Sequence, residues 1–327
     1  MSNCCTTKKC KCLKFQSSYN FNTPLLGTVF TTLVGKINDY VPCVKMLAKE
    51  PNGYAPVLQI EKALNDGRLD CAFTGLNYSF LLNTFYELYS TVPFGMTSTA
   101  FVSYLFEEGA IEKLNKEAEK HNLFFYPMCL VPPELGGWFN KEIKHPSDFS
   151  DIKMRLYGIG RNVIEALGGS TVFLPQNEIV PALKAGLINS AEFNIMQIDE
   201  TLGLPETCKY FYTPAWNQLS TVLYFVCNLK KWNSICTHIQ DMIKLILKEN
   251  MYTNYLFSND TQIDYLIKYQ SQLRIFPDNV IFAMKNAWLE WLNLPKNKDL
   301  KDEYFIMKAY EAKFNSYEDF MKNNISQ

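Results

Sequence analysis

The sequence predicts an α/β fold built as two lobes, and three observations carry that prediction. The chain has 327 residues, more than one hydrophobic core of ordinary size usually gathers. From Leu13 onward, short apolar runs alternate with stretches of helical apolar spacing, the pattern of strand–helix units. The last third of the chain reads as almost wholly helical.

The N-terminal residues 1–12, MSNCCTTKKCKC, place Cys4, Cys5, Cys10 and Cys12 in otherwise polar sequence. They are expected to form a disordered tail. Four clustered thiols also suit zinc, but their spacing is not one of the usual pairs. Cys43, Cys71, Cys129, Cys208, Cys227 and Cys236 mostly fall among apolar residues and read as small core side chains. Ten cysteines, taken at face value, suit a reducing compartment better than an oxidising one.

From Leu13 the elements follow in order. LKFQSSYN reads as a strand, and Thr23 to Asn38 as an amphipathic helix with Leu25, Val29, Leu33 and Ile37 on one face. Val44 to Leu47 is the next strand, Tyr54 to Asn65 a helix, and GRLDCAFTG a turn and a strand. Pro93 to Met96 reads as a further strand, Glu107 to Lys120 as a helix and Asn122 to Leu130 as an apolar strand. No Gly/Ser-rich linker marks a boundary, so ordered elements should join the lobes. The expected division is 13–128 plus about 218–260 for the first lobe. The second is 129–217 plus about 261–327, with spanning helices. Val280 to Leu294 is a helix whose Phe282, Met284, Ala287, Trp288 and Trp291 read as core.

The stretch 153–203 is the most informative. Met154 and Leu156 fall on one side of a short strand, Arg155 and Tyr157 on the other. Gly158 and Gly160 permit a tight turn, and Val163, Ile164 and Leu167 mark a short helix ended by Gly168-Gly169. Arg155 therefore stands near a strand end and a helix start, a place that favours anions. The chain has only four arginines, Arg68, Arg155, Arg161 and Arg274, among 32 basic residues. Two of them occupy this turn, where the flat guanidinium fork suits a carboxylate; a structural ion pair is the alternative. Asn177 is placed to cap the next helix, with Gly186 just past its end. A strand from Leu187 to Phe193 then carries Glu192. Parallel strands in this order would bring Arg155 and Glu192 to one sheet edge.

Several function classes find little support. A net charge of −1 implies no broad basic face for nucleic acid. No apolar run approaches the roughly 18 residues of a membrane span, and the first residues lack the apolar core of a signal peptide. The turn YGIGRNV fails as a dinucleotide fingerprint, because Val163 stands where a third glycine belongs. No phosphate-binding loop, serine elbow or zinc-protease helix motif is present.

Five ordered stretches carry a resemblance. They are VPFGMTS at 92–98, GGWFNKEI at 136–143, SDIKMRLYGIGRNVIEALGG at 150–169, LPQNEIVPALKAGLINSAEF at 174–193 and YFYTPAW at 210–216. The chain, from about Leu13 to its C-terminal helices, resembles the solute-binding proteins of tripartite ATP-independent periplasmic (TRAP) transporters, of the DctP type. GGWF and YFYTPAW look most like the branch that binds 2-oxo acids or lactate together with a metal ion.

That resemblance implies a periplasmic-binding-protein-like clamshell of mixed sheets with long C-terminal helices, which captures a small organic carboxylate without catalysis. It implies the periplasm, with the export signal not present in this chain, the membrane subunits of a TRAP transporter as partner, and allows a homodimer. Arg155 matches the arginine that clamps the ligand carboxylate. Glu192, the backbone carbonyl of Phe193 (usually tryptophan) and Glu134 (usually glutamine) match the metal ligands. Trp216 and Tyr78 match aromatic positions lining the ligand. With Glu134 in place of an amide, two carboxylates would share the site, and they favour a bridging cation. An all-oxygen donor set suits Ca²⁺ or Na⁺. The alternative is a Glu134 ion pair with Arg155 or Arg161 and no metal. Asn189 and Met196 replace the usual aspartate and proline and bear on which acid is bound. A cytoplasmic carboxylate sensor or storage protein of the same fold, and an α/β enzyme, are the competing readings.

Overall fold

The computed structural model describes residues 10–79 and 84–325, so Cys4 and Cys5 lie outside the described residues. In chain order the strands begin with β1 (Lys11–Ser17), β2 (Val44–Lys49), β3 (Cys71–Gly75), β4 (Leu123–Val131), β5 (Gly137–Phe139) and β6 (Lys153–Arg155). They continue with β7 (Ser170–Val172), β8 (Ser190–Ala191), β9 (Tyr210–Thr213), β10 (Thr221–Asn228) and β11 (Leu273–Ile275). One sheet has the order β2-β1-β3-β10-β4 and the other β11-β9-β5-β8-β6-β7. The chain divides into two compact units, residues 1–80, 111–130 and 222–261 in the first and 81–110, 131–221 and 262–327 in the second.

In the first unit β1 runs parallel to β2 and β3, while β10 is antiparallel to β3. Alternation along β1 buries Leu13 and Phe15. The Phe15 ring lies 4.6 Å from Phe30 and 5.4 Å from Phe225. Phe30 belongs to the helix Leu26–Tyr40, which also buries Val29, Leu33 and Ile37. That helix begins later than its apolar spacing predicts, because Leu25 has a left-handed backbone (φ 58°). On the long helix Thr237–Lys268, the buried Asn250 donates its side-chain amide to the Val29 carbonyl at 3.0 Å. That bond satisfies a polar group that burial would otherwise penalise.

The second unit holds the mixed sheet. β6 runs parallel to β7 and β8, β5 is antiparallel to β8 and β9, and β11 is parallel to β9. Residues 81–110 belong here rather than with 13–128 as expected. Their helix Ser98–Glu107 is tied to the C-terminal helix Lys298–Ile325 by polar bonds. The Tyr89 and Tyr104 hydroxyls both donate to Glu303, at 2.6 and 2.8 Å, and the Thr97 amide donates to Glu311 at 2.8 Å.

Other local expectations shift for identifiable reasons. Lys11 and Cys12, assigned to the tail, pair with Val44 and Lys45 as the start of β1. Pro56 delays the helix expected from Tyr54, which opens as a single tight turn at Val57. Pro93 to Met96 is a turn closed by the Gly95 amide on the Val92 carbonyl (3.0 Å), with Phe94 at φ 52°. The helix expected over 107–120 is reduced to Ala110–Ala118, because Gly109 (φ 70°) separates it from Ser98–Glu107, a helix the sequence reading did not expect. Phe282, read as core, is 66% exposed. Among the described residues no helix is long and apolar enough to cross a membrane.

Glu87, in the short helix Thr84–Leu88, is buried, and one of its carboxyl oxygens has no hydrogen-bond partner. Burial pushes its pKa from 4.5 up to about 8, against the pull of the Ile159 amide and the Arg161 charge. Below pH 4.5 the group is protonated whether the chain is folded or not. As pH rises from there toward 8, only the unfolded chain releases the proton, so stability falls across that window. The Glu87→Gln variant stays neutral throughout. Its urea midpoint should therefore gain on that of the wild type between pH 5 and 8, and parallel pH curves would refute this account of Glu87.

Candidate functional site

Arg155 ends β6, an interior strand flanked by β7 and β8, and this position buries it. A buried guanidinium needs acceptors, and the neighbouring backbone provides them. Nε donates to the Leu174 carbonyl at 3.1 Å, and Nη1 makes a short bond to the Glu192 carbonyl. The Glu192 amide in turn donates to the Arg155 carbonyl at 3.0 Å. The guanidinium carbon lies 4.0 Å from the centre of the Tyr157 ring and 5.0 Å from that of Phe193, both within cation–π range. Neither hydrogen bond uses Nη2, and both acceptors are carbonyls rather than carboxylates. The helix after the turn starts only at Arg161 and is six residues long. A helix this short offers little of the anion preference expected from its start, so that expectation rests on the arginine itself.

The turn explains its glycines. Gly158 has φ 71°, a left-handed conformation that glycine adopts without a Cβ clash. A Cβ on Gly160 would sit 1.8 Å from the Asn217 side-chain oxygen. The Asn177 cap does not form: the helix is Ile179–Lys184, preceded by a tight turn and without a side-chain cap. The strand expected over 187–193 is reduced to Ser190–Ala191, with Glu192 immediately beyond it. The parallel pairing of Arg155 with Ala191 still brings Arg155 and Glu192 together, as the sequence pattern predicts.

Glu192 and Glu134 are both buried in the second unit, at 1% and 3% exposure. Gln218 links them. Its side-chain amide donates to Glu192 Oε1 at 2.8 Å, its carbonyl accepts the Glu134 amide at 3.1 Å, and its side-chain oxygen accepts the Thr221 hydroxyl at 2.8 Å. Glu192 Oε2 and both carboxyl oxygens of Glu134 have no hydrogen-bond partner. The Thr221 hydroxyl lies close enough to favour a charged Glu134, but its proton points to Gln218. Glu134 forms no hydrogen bond with Arg155 or Arg161.

Burial raises the pKa of Glu134 well above the usual carboxylate range, and the facing Glu192 raises it further. Burial also raises Glu192, against the pull of Arg155 and Gln218. A third carboxyl group, Asp199, accepts the Trp138 indole N–H at 2.7 Å and is likewise raised by burial. Like charges held this close resist joint ionisation unless a cation joins them. The unpartnered donors are all hard oxygens, which fits calcium or sodium and not a soft metal. Among the described residues no group of three or more His, Cys, Asp or Glu side chains forms a metal cluster. A cation here would need carbonyl or ligand oxygens to complete its shell.

The walls are aromatic. Trp216 is buried, donates its indole N–H to the Gly136 carbonyl at 3.0 Å and accepts the Phe94 amide on its own carbonyl at 2.8 Å. A Cβ on Gly136 would come within 2.7 Å of the Pro214 carbonyl oxygen. Phe193 is buried over the guanidinium. Tyr78 lies in the first unit, on Leu76–Ser79, with its ring 6.1 Å from that of Tyr19. Gln218, Thr221 and Asp199 are the site residues that sequence reasoning missed. The polar run NQLST at 217–221, directly after YFYTPAW, was the available signal for the first two.

Residues 55–293 match the DctP model, described as bacterial extracellular solute-binding protein, family 7. A monocarboxylate 2-oxoacid-binding periplasmic protein of Nostoc sp. is 28% identical over 260 residues, which is 78% of this chain and 71% of that protein. A TRAP periplasmic solute-binding protein of Colwellia psychrerythraea, crystallised with calcium and pyruvate, superposes with a TM-score of 0.89 at 22% identity over 97% of this chain and 99% of the other. A counterpart from Pseudoalteromonas atlantica, with sodium and pyruvate, gives 0.90 at 23% identity over 97% and 98%. A third, from Bordetella bronchiseptica, is a mixed occupancy dimer with calcium and picolinate and gives 0.89 at 23% over 98% and 97%. These structural likenesses establish the fold, a two-sheet α/β architecture.

The Gly160 contact yields a test of how the turn is held. Gly160→Ala should destabilise the protein by about 1–3 kcal/mol through overpacking against Asn217. Gly160→Ala combined with Asn217→Ala should recover part of that loss in a thermal melt. Strictly additive effects would mean that the two positions are not in contact.

Proposed function

The chain belongs to the bacterial extracellular solute-binding proteins of family 7, DctP, and from that premise we propose that it captures a small monocarboxylate, a 2-oxo or 2-hydroxy acid such as pyruvate or lactate, with a bridging calcium or sodium ion. One observation carries this reading: a buried arginine bonded only to carbonyls shares its unit with two buried carboxyl groups that leave three oxygens unpartnered. The name of the Nostoc relative and the pyruvate held with calcium or sodium in two similar structures support it.

In the proposed mechanism Arg155 grips the ligand carboxylate through charge-assisted hydrogen bonds. Its orientation is fixed beforehand by Leu174, Glu192 and the rings of Tyr157 and Phe193, so little order is lost on binding. Glu134, Glu192 and the Phe193 carbonyl would hold the cation. When bound, the ion offsets the two negative charges and accepts a ligand oxygen. Gln218 keeps Glu192 turned toward Glu134. Trp216 and Phe193 give the ligand an apolar wall, and Tyr78 is assigned a lining role on the family resemblance alone. No covalent step is involved. The extracellular family and the periplasmic relative favour an exported receptor that serves TRAP membrane subunits over a cytoplasmic sensor. A homodimer is part of the proposal, on the precedent of the Bordetella protein.

The test is a thermal-shift panel with pyruvate, longer 2-oxo acids, lactate and C4 dicarboxylates, each with calcium, sodium or chelator. A ligand at about a hundred times its Kd adds roughly 2.7 kcal/mol of stability. A monocarboxylate should raise the melting temperature, with the rise lost in chelator and in Arg155→Ala. A shift from dicarboxylates alone would overturn the substrate class, and a shift indifferent to chelator would remove the metal. For Glu134→Gln, the calcium needed for half-maximal stabilisation should rise by about tenfold or more, because ligand charge sets calcium affinity.

A further inference from the structure

Strands β3 and β10 lie side by side, and their antiparallel register sets Cys227 opposite Cys71. The two sulfurs are 3.2 Å apart. Both residues are fully buried and both are free thiols. Directly opposed residues of an antiparallel pair have Cα atoms about 4.5–5.5 Å apart. That separation falls within the roughly 4.4–6.8 Å that a disulfide spans. The backbone therefore already has the geometry of a bridge, without movement of either strand.

We propose that Cys71 and Cys227 are a modification site: in an oxidising compartment the chain carries a disulfide joining β3 to β10. The oxidant is a disulfide of the glutathione or protein-dithiol class. One cysteine thiolate attacks a sulfur of that oxidant and expels a thiolate, leaving a mixed disulfide on the chain. The second cysteine thiolate then displaces the other oxidant sulfur. The chain loses two protons and two electrons, and the oxidant is reduced to two thiols.

Position dictates when this occurs. Burial, and then the Cys227 thiol beside it, push the Cys71 pKa well above its ordinary value, so the folded protein presents almost no thiolate there. Exchange must precede closure of the sheet. The bond would span a sequence separation of 156 residues. It would tie the first segment of its unit, 1–80, to the last, 222–261, and so remove much of the freedom of the unfolded chain. The inference does not depend on which ligand the protein binds.

The experiment refolds denatured, reduced chain in two buffers, one with oxidised and reduced glutathione and one with excess dithiothreitol. Free thiols are then blocked with N-ethylmaleimide under denaturing conditions and the peptides are mapped. The glutathione sample should contain a Cys71–Cys227 peptide as its main cross-link, absent from the dithiothreitol sample. Its melting temperature should be higher by about 5 °C or more. The Cys71→Ala/Cys227→Ala variant should show neither the peptide nor the difference. The same mapping on chain secreted into an oxidising periplasm gives the answer without a refolding step. Alkylated Cys71 and Cys227 in the glutathione or secreted sample, or either residue joined to a different cysteine, would overturn the proposal.

Discussion

The candidate site is arranged around a buried guanidinium that, among the described residues, forms no hydrogen bond to a carboxylate. Arg155 sits inside the second sheet, and its bonds run to peptide carbonyls. Carbonyls satisfy hydrogen bonds without cancelling charge, so the positive potential at this point survives. Burying an unneutralised cation is costly. The surroundings reduce that cost in two ways: the faces of Tyr157 and Phe193 stack against the guanidinium, and Glu192 lies near enough to lower the energy of both groups. The guanidinium of the proposed anion site is thus held in place by sheet pairing rather than by a flexible loop.

The acidic side follows the same logic in reverse. Glu134 and Glu192 would be a liability as a purely structural pair, since burial raises the cost of ionising both and Glu192 raises that of Glu134 further. Apolar residues of similar volume would serve a core better. Three unpartnered buried carboxyl oxygens so close together are a strain that a stability-driven sequence avoids. Gln218 makes the arrangement persistent by donating its side-chain amide to the Glu192 carboxyl group while its backbone carbonyl accepts the Glu134 amide.

How much of this could be read from sequence depends on the range of the pairing involved. Arg155 ends β6 and Glu192 directly follows β8, its parallel neighbour in the sheet, so a strand–helix–strand pattern brings them together even though β8 is only two residues long. The short strand β7 between them in sequence went unseen: Ser170-Thr171-Val172 has no buried face to give it a period. Gln218 and Asp199 reach the site through hydrogen bonds to residues tens of positions away, and no local spacing encodes that. The placement of 81–110 failed for a related reason. Strand alternation suggested one continuous unit, whereas tyrosine hydroxyls and a backbone amide on this segment bind Glu303 and Glu311 near the far end of the chain. Periodicity reports which face is buried, not what it is buried against.

The exchange of an amide for Glu134 changes the charge balance of the proposed site. With Arg155 positive and Glu134, Glu192 and a bound monocarboxylate negative, the sum over these four groups is two negative charges. An amide at position 134 would leave one. In a medium of low polarity, uncancelled charge is expensive, so the sum selects the charge of the ion. Two negatives call for a divalent cation, and the hard carboxylate and carbonyl oxygens call for calcium rather than a softer divalent ion. Sodium would leave one negative charge uncompensated, which protonation of Glu134 would absorb, and its raised pKa makes it the group best placed to do so. In the proposed site, the carboxylate that replaces the family's amide would thus couple the choice of cation to a proton.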